Sequence, residues 1–156
     1  MDYMEITCGV SGLGAIPIEK EKKVVQAVFD EATKAITGGY KIFQLGIVGP
    51  ASLLYGDAVI DAIAERDGIN LEVVLPHPNW IDGQDDATCY HEFMKKVHGF
   101  SFADTCYNPS WEMLVNNSVL DLSAMLIAIT NGENEEVNSI VRIAEEIETP
   151  ITKVEI

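Results

Sequence analysis

Two glycine-bearing junctions and a few dispersed acidic and aromatic side chains are the residues of this chain whose types and spacing could do chemistry. The first junction is Cys8-Gly9-Val10-Ser11-Gly12-Leu13-Gly14 and the second is Phe43-Gln44-Leu45-Gly46-Ile47-Val48-Gly49-Pro50-Ala51-Ser52. Each follows a short apolar run, and the second leads directly into a helix-like stretch. Glycine turns expose backbone N–H donors, and a helix N-terminus adds positive potential, so both can hold phosphate or ribose oxygens. Gly9, Ser11 and Gly12 are expected to form one ligand-binding turn, with Gly49 and Ser52 forming a second. The alternative at each is a tight strand-to-helix connection with no ligand.

Other side chains carry two readings. Asp57 could accept from both ribose hydroxyls, or belong to a solvated helix face. His77 could donate to a phosphate or act as a general base near neutral pH, or simply sit in a loop stiffened by Pro76 and Pro78. Trp80 could stack on a base, or cap the core from its loop. An N-glycoside hydrolase would need a carboxylate beside an oxocarbenium-like centre, for which Asp57, Asp121 and Glu133 are the candidates. Among Asp85, Asp86, His91 and Glu92 only the last pair are near neighbours, and they do not share a helix face, so no metal site is expected. No cofactor is expected either. Glu133, Glu135 and Glu136 complement the N-terminus of a last helix and would repel a phosphate there.

Alternating strands and helices position these residues. Strands are expected at 3–10, 41–48, 69–76, 100–106 (weak), 124–130 and 151–156. Helices are expected at 19–36, 52–66, 86–97, 110–122 and 133–148, with Ser110 as an N-cap. Successive apolar residues within strands indicate burial on both sheet faces. The expected fold is a Rossmann-like three-layer α/β/α sandwich with a mainly parallel sheet, in one domain over 1–156. Right-handed crossovers bring the loops after Cys8, Gly49, Leu75, Tyr107 and Thr130 to one sheet edge.

The net charge of −15, from 25 acidic and 10 basic residues, argues against a surface that reads a phosphate backbone. No nucleic-acid partner is therefore expected. No run of about 20 apolar residues is present to span a membrane, and the acidic start lacks a basic signal region. Cytoplasmic residence is the default. Three cysteines in no paired spacing indicate neither a disulfide framework nor a zinc knuckle. The helix over 53–63 carries Leu53, Leu54, Val59, Ile60 and Ile63, more than one core-facing stripe needs, which points to a homo-oligomer.

In order and spacing the chain resembles the SLOG superfamily, related to DprA/Smf and Lonely-guy proteins, and most closely its YpsA-like branch. The resemblance rests on Ile6-Thr7-Cys8-Gly9, on Gly46-Ile47-Val48-Gly49 with Gly56-Asp57, on Pro76-His77-Pro78-Asn79-Trp80, and on the segment from Asn116 to Ala128. It implies a Rossmann-like fold, a nucleotide-derived ligand, a ligand-binding role for Asn116 and pairing through helices. The family's arginine before that asparagine is Val115, its late aspartate is Ala124, and its glycine-rich clamp is replaced by Asn131-Gly132-Glu133-Asn134. A hydrolase site is thus not carried over, and turnover is left open. The leading expectation is a protein that binds an NAD- or ADP-ribose-like molecule as sensor, carrier or sequestering protein. The alternatives are an N-glycoside hydrolase or ribosyltransferase, and an acidic interaction module without ligand.

Overall fold

In the computed structural model, which describes residues 3–64 and 66–156, six strands form one sheet with every neighbouring pair parallel. The strands are β1 (Thr7–Gly12), β2 (Ile42–Gly46), β3 (Asn70–Leu75), β4 (Gly99–Phe102), β5 (Met125–Thr130) and β6 (Ile151–Glu155). Between them run α1 (Ile18–Thr37), α2 (Pro50–Ile63), α3 (Ala87–Met94), α4 (Trp111–Asp121) and α5 (Glu135–Glu146). The order across the sheet is β4-β3-β2-β1-β5-β6. Chain direction across the sheet therefore reverses after β4, so α1, α2 and α3 lie in a row on one face while α4 and α5 cover the other. The Rossmann-like expectation holds.

Each face has its own core. Val24, Val28, Ala32 and Ala35 recur at three- and four-residue spacing along α1, and all are buried against β1, β2 and their neighbours. Gly38 and Gly39 end that helix, Gly39 with φ +100°. On the opposite face Val115, Val119 and Leu120 of α4 meet Leu126, Ala128, Ile140 and Ala144.

Several expectations are corrected. Residues 4–6 are a short 3-10 helix rather than strand, so β1 starts at Thr7 and runs on through Gly12. The short helix turns Tyr3 back over the sheet, where its hydroxyl donates to Glu72 at 2.5 Å. The fourth strand stops at Phe102, not at Cys106. Ser110 makes no capping bond; its own N–H donates to Asn108 Oδ1 at 2.8 Å. The second helix ends at Ile63, and Glu65, expected within it, lies outside the described residues. The apolar surplus of α2 is taken up within the chain. Val59 and Ile63 are buried, and Leu53, Leu54 and Ile60 pack against the same core, because α2 lies between α1 and α3. Among the described residues no helix is long and apolar enough to cross a membrane.

Candidate functional site

Because all strands are parallel, the loops after β1, β2, β3, β4 and β5 emerge at one sheet edge, as expected. The two glycine junctions there are closed, however. Gly9, Ser11 and Gly12 are not a turn: they are buried residues of β1. A Cβ on Gly12 would stand 2.8 Å from the Ile129 backbone nitrogen, so glycine serves the close approach of β1 and β5. The Ser11 hydroxyl donates to Asn116 Oδ1 across the sheet–α4 contact, with both residues buried. Asn116 thus lies on α4, as its helix assignment implies, and it braces that helix against β1.

The second junction spends the Val48, Ala51 and Ser52 donors internally. Pro50 occupies the first turn of α2 and has no N–H. The Ala51 N–H donates to the Gly14 carbonyl at 2.9 Å, and the Ser52 N–H to the Gly49 carbonyl at 3.0 Å. The Ser52 hydroxyl, fully buried, accepts from the Val48 N–H at 3.0 Å. A Cβ on Gly49 would lie 2.8 Å from the Gly14 carbonyl carbon, so this glycine permits loop-to-loop contact. The expected phosphate cradle at Gly49 and Ser52 is therefore corrected: the Ala51 N–H ties the α2 N-terminus to the first loop, while the Ser52 N–H and hydroxyl close the second loop on itself.

The carboxylates do not gather. Asp57 is two turns into α2 and faces Lys96 at 3.4 Å, about half exposed. Asp121 closes α4 at the opposite end of the sheet from the loops, since α4 runs back toward the start of β5. Glu133 is exposed after β5, its N–H donating to Asn131 Oδ1 at 2.9 Å. Nor do the groups weighed as metal ligands assemble: among the described residues no cluster of three such side chains occurs, and His91 pairs with Asp82 at 2.9 Å.

What the edge offers instead is an open cleft of about 450 Å³ above β2 and β3, lined by Gly49, His77, Trp80, Tyr107, Trp111 and Glu112, among others. Trp80 is at once core and cleft wall: it meets Tyr90 edge-on at 5.1 Å and Trp111 at 5.6 Å between ring centres. His77 meets Tyr107 edge-on at 6.3 Å. Tyr107 is 67% exposed, leaving ring surface for a ligand. Its loop is held by Asp104, which accepts from the Thr105 N–H at 2.7 Å and from the Asn108 amide at 3.4 Å. Those donors hold the Asp104 carboxyl below its usual range. Among the described residues no lysine or arginine lines the cleft.

Glu112 is half-buried in the first turn of α4, and among the described residues no hydrogen bond or ion pair engages its carboxylate. Burial, then repulsion from Glu136 of α5, raise its pKa above the ordinary value. A second, acidic cleft of about 330 Å³ opens on its other side, lined by Glu135 and Glu136. His77 and Trp80 were legible as candidates; Tyr107, Trp111 and Glu112 were not. The signal available was a run of aromatics around a loop, Tyr107-Asn108-Pro109-Ser110-Trp111, directly before a helix.

No family model and no curated protein matches the sequence. Among solved structures the fold is similar to that of DNA processing protein A from Helicobacter pylori, determined for its unique single-stranded DNA binding mode. The identity is 12% and the TM-score 0.65, over 96% of this chain and 65% of that one. At this identity the likeness establishes a DprA-like fold. The chain spans just under two thirds of that neighbour's length. This neighbour overturns two expectations, a nucleotide-derived small molecule as the ligand and the exclusion of nucleic acid as a partner. The hydrolase and interaction-module alternatives gain nothing from it. The charge argument bears on contacts to phosphates; unpaired bases can also be held by stacking on aromatic rings.

Proposed function

We propose that residues 1–156 form one SLOG-like domain, of the YpsA-like branch, that binds a single strand of nucleic acid in the cytoplasm. The cleft above β2 and β3 holds an unpaired base, and the rest of the strand passes over the same loop edge. The observation that carries this reading is the aromatic lining itself: His77 and Trp80 from the loop after β3, and Tyr107 and Trp111 from the segment that opens α4, meet at one open cleft, with the Tyr107 ring the most exposed of them. Ring faces of this kind stack on any base, at roughly 1–3 kcal/mol per base. The ligand class is supported by the fold neighbour, whose described property is binding single-stranded DNA. The surface charge favours a single strand over a duplex, because a duplex buries its base faces and presents mainly phosphates. Three unpaired cysteines accord with a reducing compartment.

The test is fluorescence anisotropy with a labelled 20-nucleotide strand, the same strand annealed to its complement, and free mononucleotides as competitors. The single strand should bind and the duplex should bind at least tenfold more weakly. Mononucleotides should compete only at much higher concentration. Equal binding of strand and duplex, or no binding of either, would overturn the proposal.

A further inference from the structure

The aromatic cleft has one lining residue that a general stacking platform does not need, Glu112, which stands between this cleft and the acidic one beside it. Glu112 is half-buried beside Trp111 on α4, and among the described residues no hydrogen-bond or ion-pair partner occupies its carboxylate. No basic side chain shares the cleft among the described residues. A carboxylate can only accept, and its two oxygens match two adjacent parallel donors. Placed where a strand's phosphates would be repelled, it needs compensation from the base edge.

The Watson–Crick edges of the bases differ in what they can give it. Guanine presents two adjacent donors, N1–H and N2–H. Adenine and cytosine each present one amine beside a ring nitrogen lone pair, which would face the second carboxylate oxygen. Thymine presents one N–H between two carbonyl oxygens. An unstacked base in a single strand exposes this edge fully, so it can be read in the cleft.

Resting on the single-strand reading above, we infer that the cleft selects guanine, with the Glu112 carboxylate accepting from guanine N1–H and N2–H while the ring packs on the aromatic lining. Glu112 is the specificity-determining residue, and Tyr107 contributes affinity without choosing the base. Glu136, which faces Glu112 from α5, and Glu135 next to it lie on the other side of the carboxylate and offer it no donor.

The experiment compares oligothymidine 12-mers carrying one central guanine, inosine, adenine, cytosine or thymine, bound to the intact chain and to Glu112→Gln. Inosine keeps N1–H and lacks the N2 amine, so it removes one of the two bonds without altering the stacking ring. The guanine strand should bind about tenfold tighter than the inosine and thymine strands, the usual scale for one well-placed bidentate contact. In Glu112→Gln that preference should collapse, the guanine, inosine and thymine strands binding within about twofold of one another. Equal binding of guanine, inosine and thymine strands by the unaltered chain would overturn guanine selection and leave single-strand binding intact. A guanine preference that survives in Glu112→Gln would overturn the role of this carboxylate. An arginine-bearing peptide that displaces the strand, with guanine and inosine strands equal, would reassign the carboxylate to a guanidinium and overturn the inference. Failure of every strand to bind would bring down this inference and the single-strand reading together.

Discussion

Tyr107 and Glu112 divide the work of the cleft, and each can be probed without disturbing the core. Tyr107 is mostly exposed, so Tyr107→Ala should leave the circular dichroism spectrum and the melting temperature unchanged. It should weaken single-strand binding by about 1–3 kcal/mol, the cost of one lost stacking partner. Glu112 has a raised pKa in the folded chain, from burial and from Glu136, so the native state holds its proton more firmly than the unfolded chain does. Stability through this group is therefore greatest at acid pH, and it falls as pH rises from the ordinary carboxylate value through that of Glu112. Glu112→Gln is expected to be more stable than the parent at pH 7, with the difference vanishing in acid. Thermal melts across pH 4–7.5 would check it; a Gln variant less stable at neutral pH would contradict it. At this scale the sequence was only partly legible. Trp80 and His77 could be singled out because a Pro-His-Pro-Asn-Trp segment after an apolar strand is conspicuous. Glu112 could not, since whether a helix carboxylate is solvated or half-buried beside another helix's glutamate depends on how α4 and α5 pack.

At the scale of elements, junctions that look like ligand turns act as seams. Gly49, expected in a ligand-binding turn, carries no Cβ because the Gly14 backbone approaches there. Gly49→Val should consequently destabilise the whole fold, by roughly 1–3 kcal/mol or more from overpacking against backbone, and denaturant titration should reveal it as a lowered midpoint. An unchanged midpoint would mean the two loops can part. The loop carrying Tyr107 depends on Asp104, through its bonds to Thr105 and Asn108. Asp104→Ala should weaken strand binding as much as loss of the ring does, while leaving the melting temperature nearly unchanged, because the loop is exposed. Strand and helix order was read correctly, since apolar runs of five or six residues and helical periodicity are local. What escaped was register: a strand buried on both faces gives no alternation to mark its last residue, so β1 was ended at Val10 when it runs to Gly12.

For the molecule as a whole, acidity and the all-parallel sheet act together. With a net charge of −15 and no basic residue in the cleft among the described residues, few counterions can be displaced by an incoming strand. The slope of log affinity against log salt should be shallow, less steep than about −2, corresponding to fewer than about three neutralised phosphates at −0.7 each. A slope of −4 or steeper would place the strand on a basic surface elsewhere. The most direct measurement uses the chain's own fluorescence, because both of its tryptophans, Trp80 and Trp111, line the cleft. Titration with an unlabelled single strand should quench and shift the tryptophan emission in step with binding followed by anisotropy. Binding that leaves the emission untouched, or an emission that never responds to any single strand, would contradict a base held in this cleft.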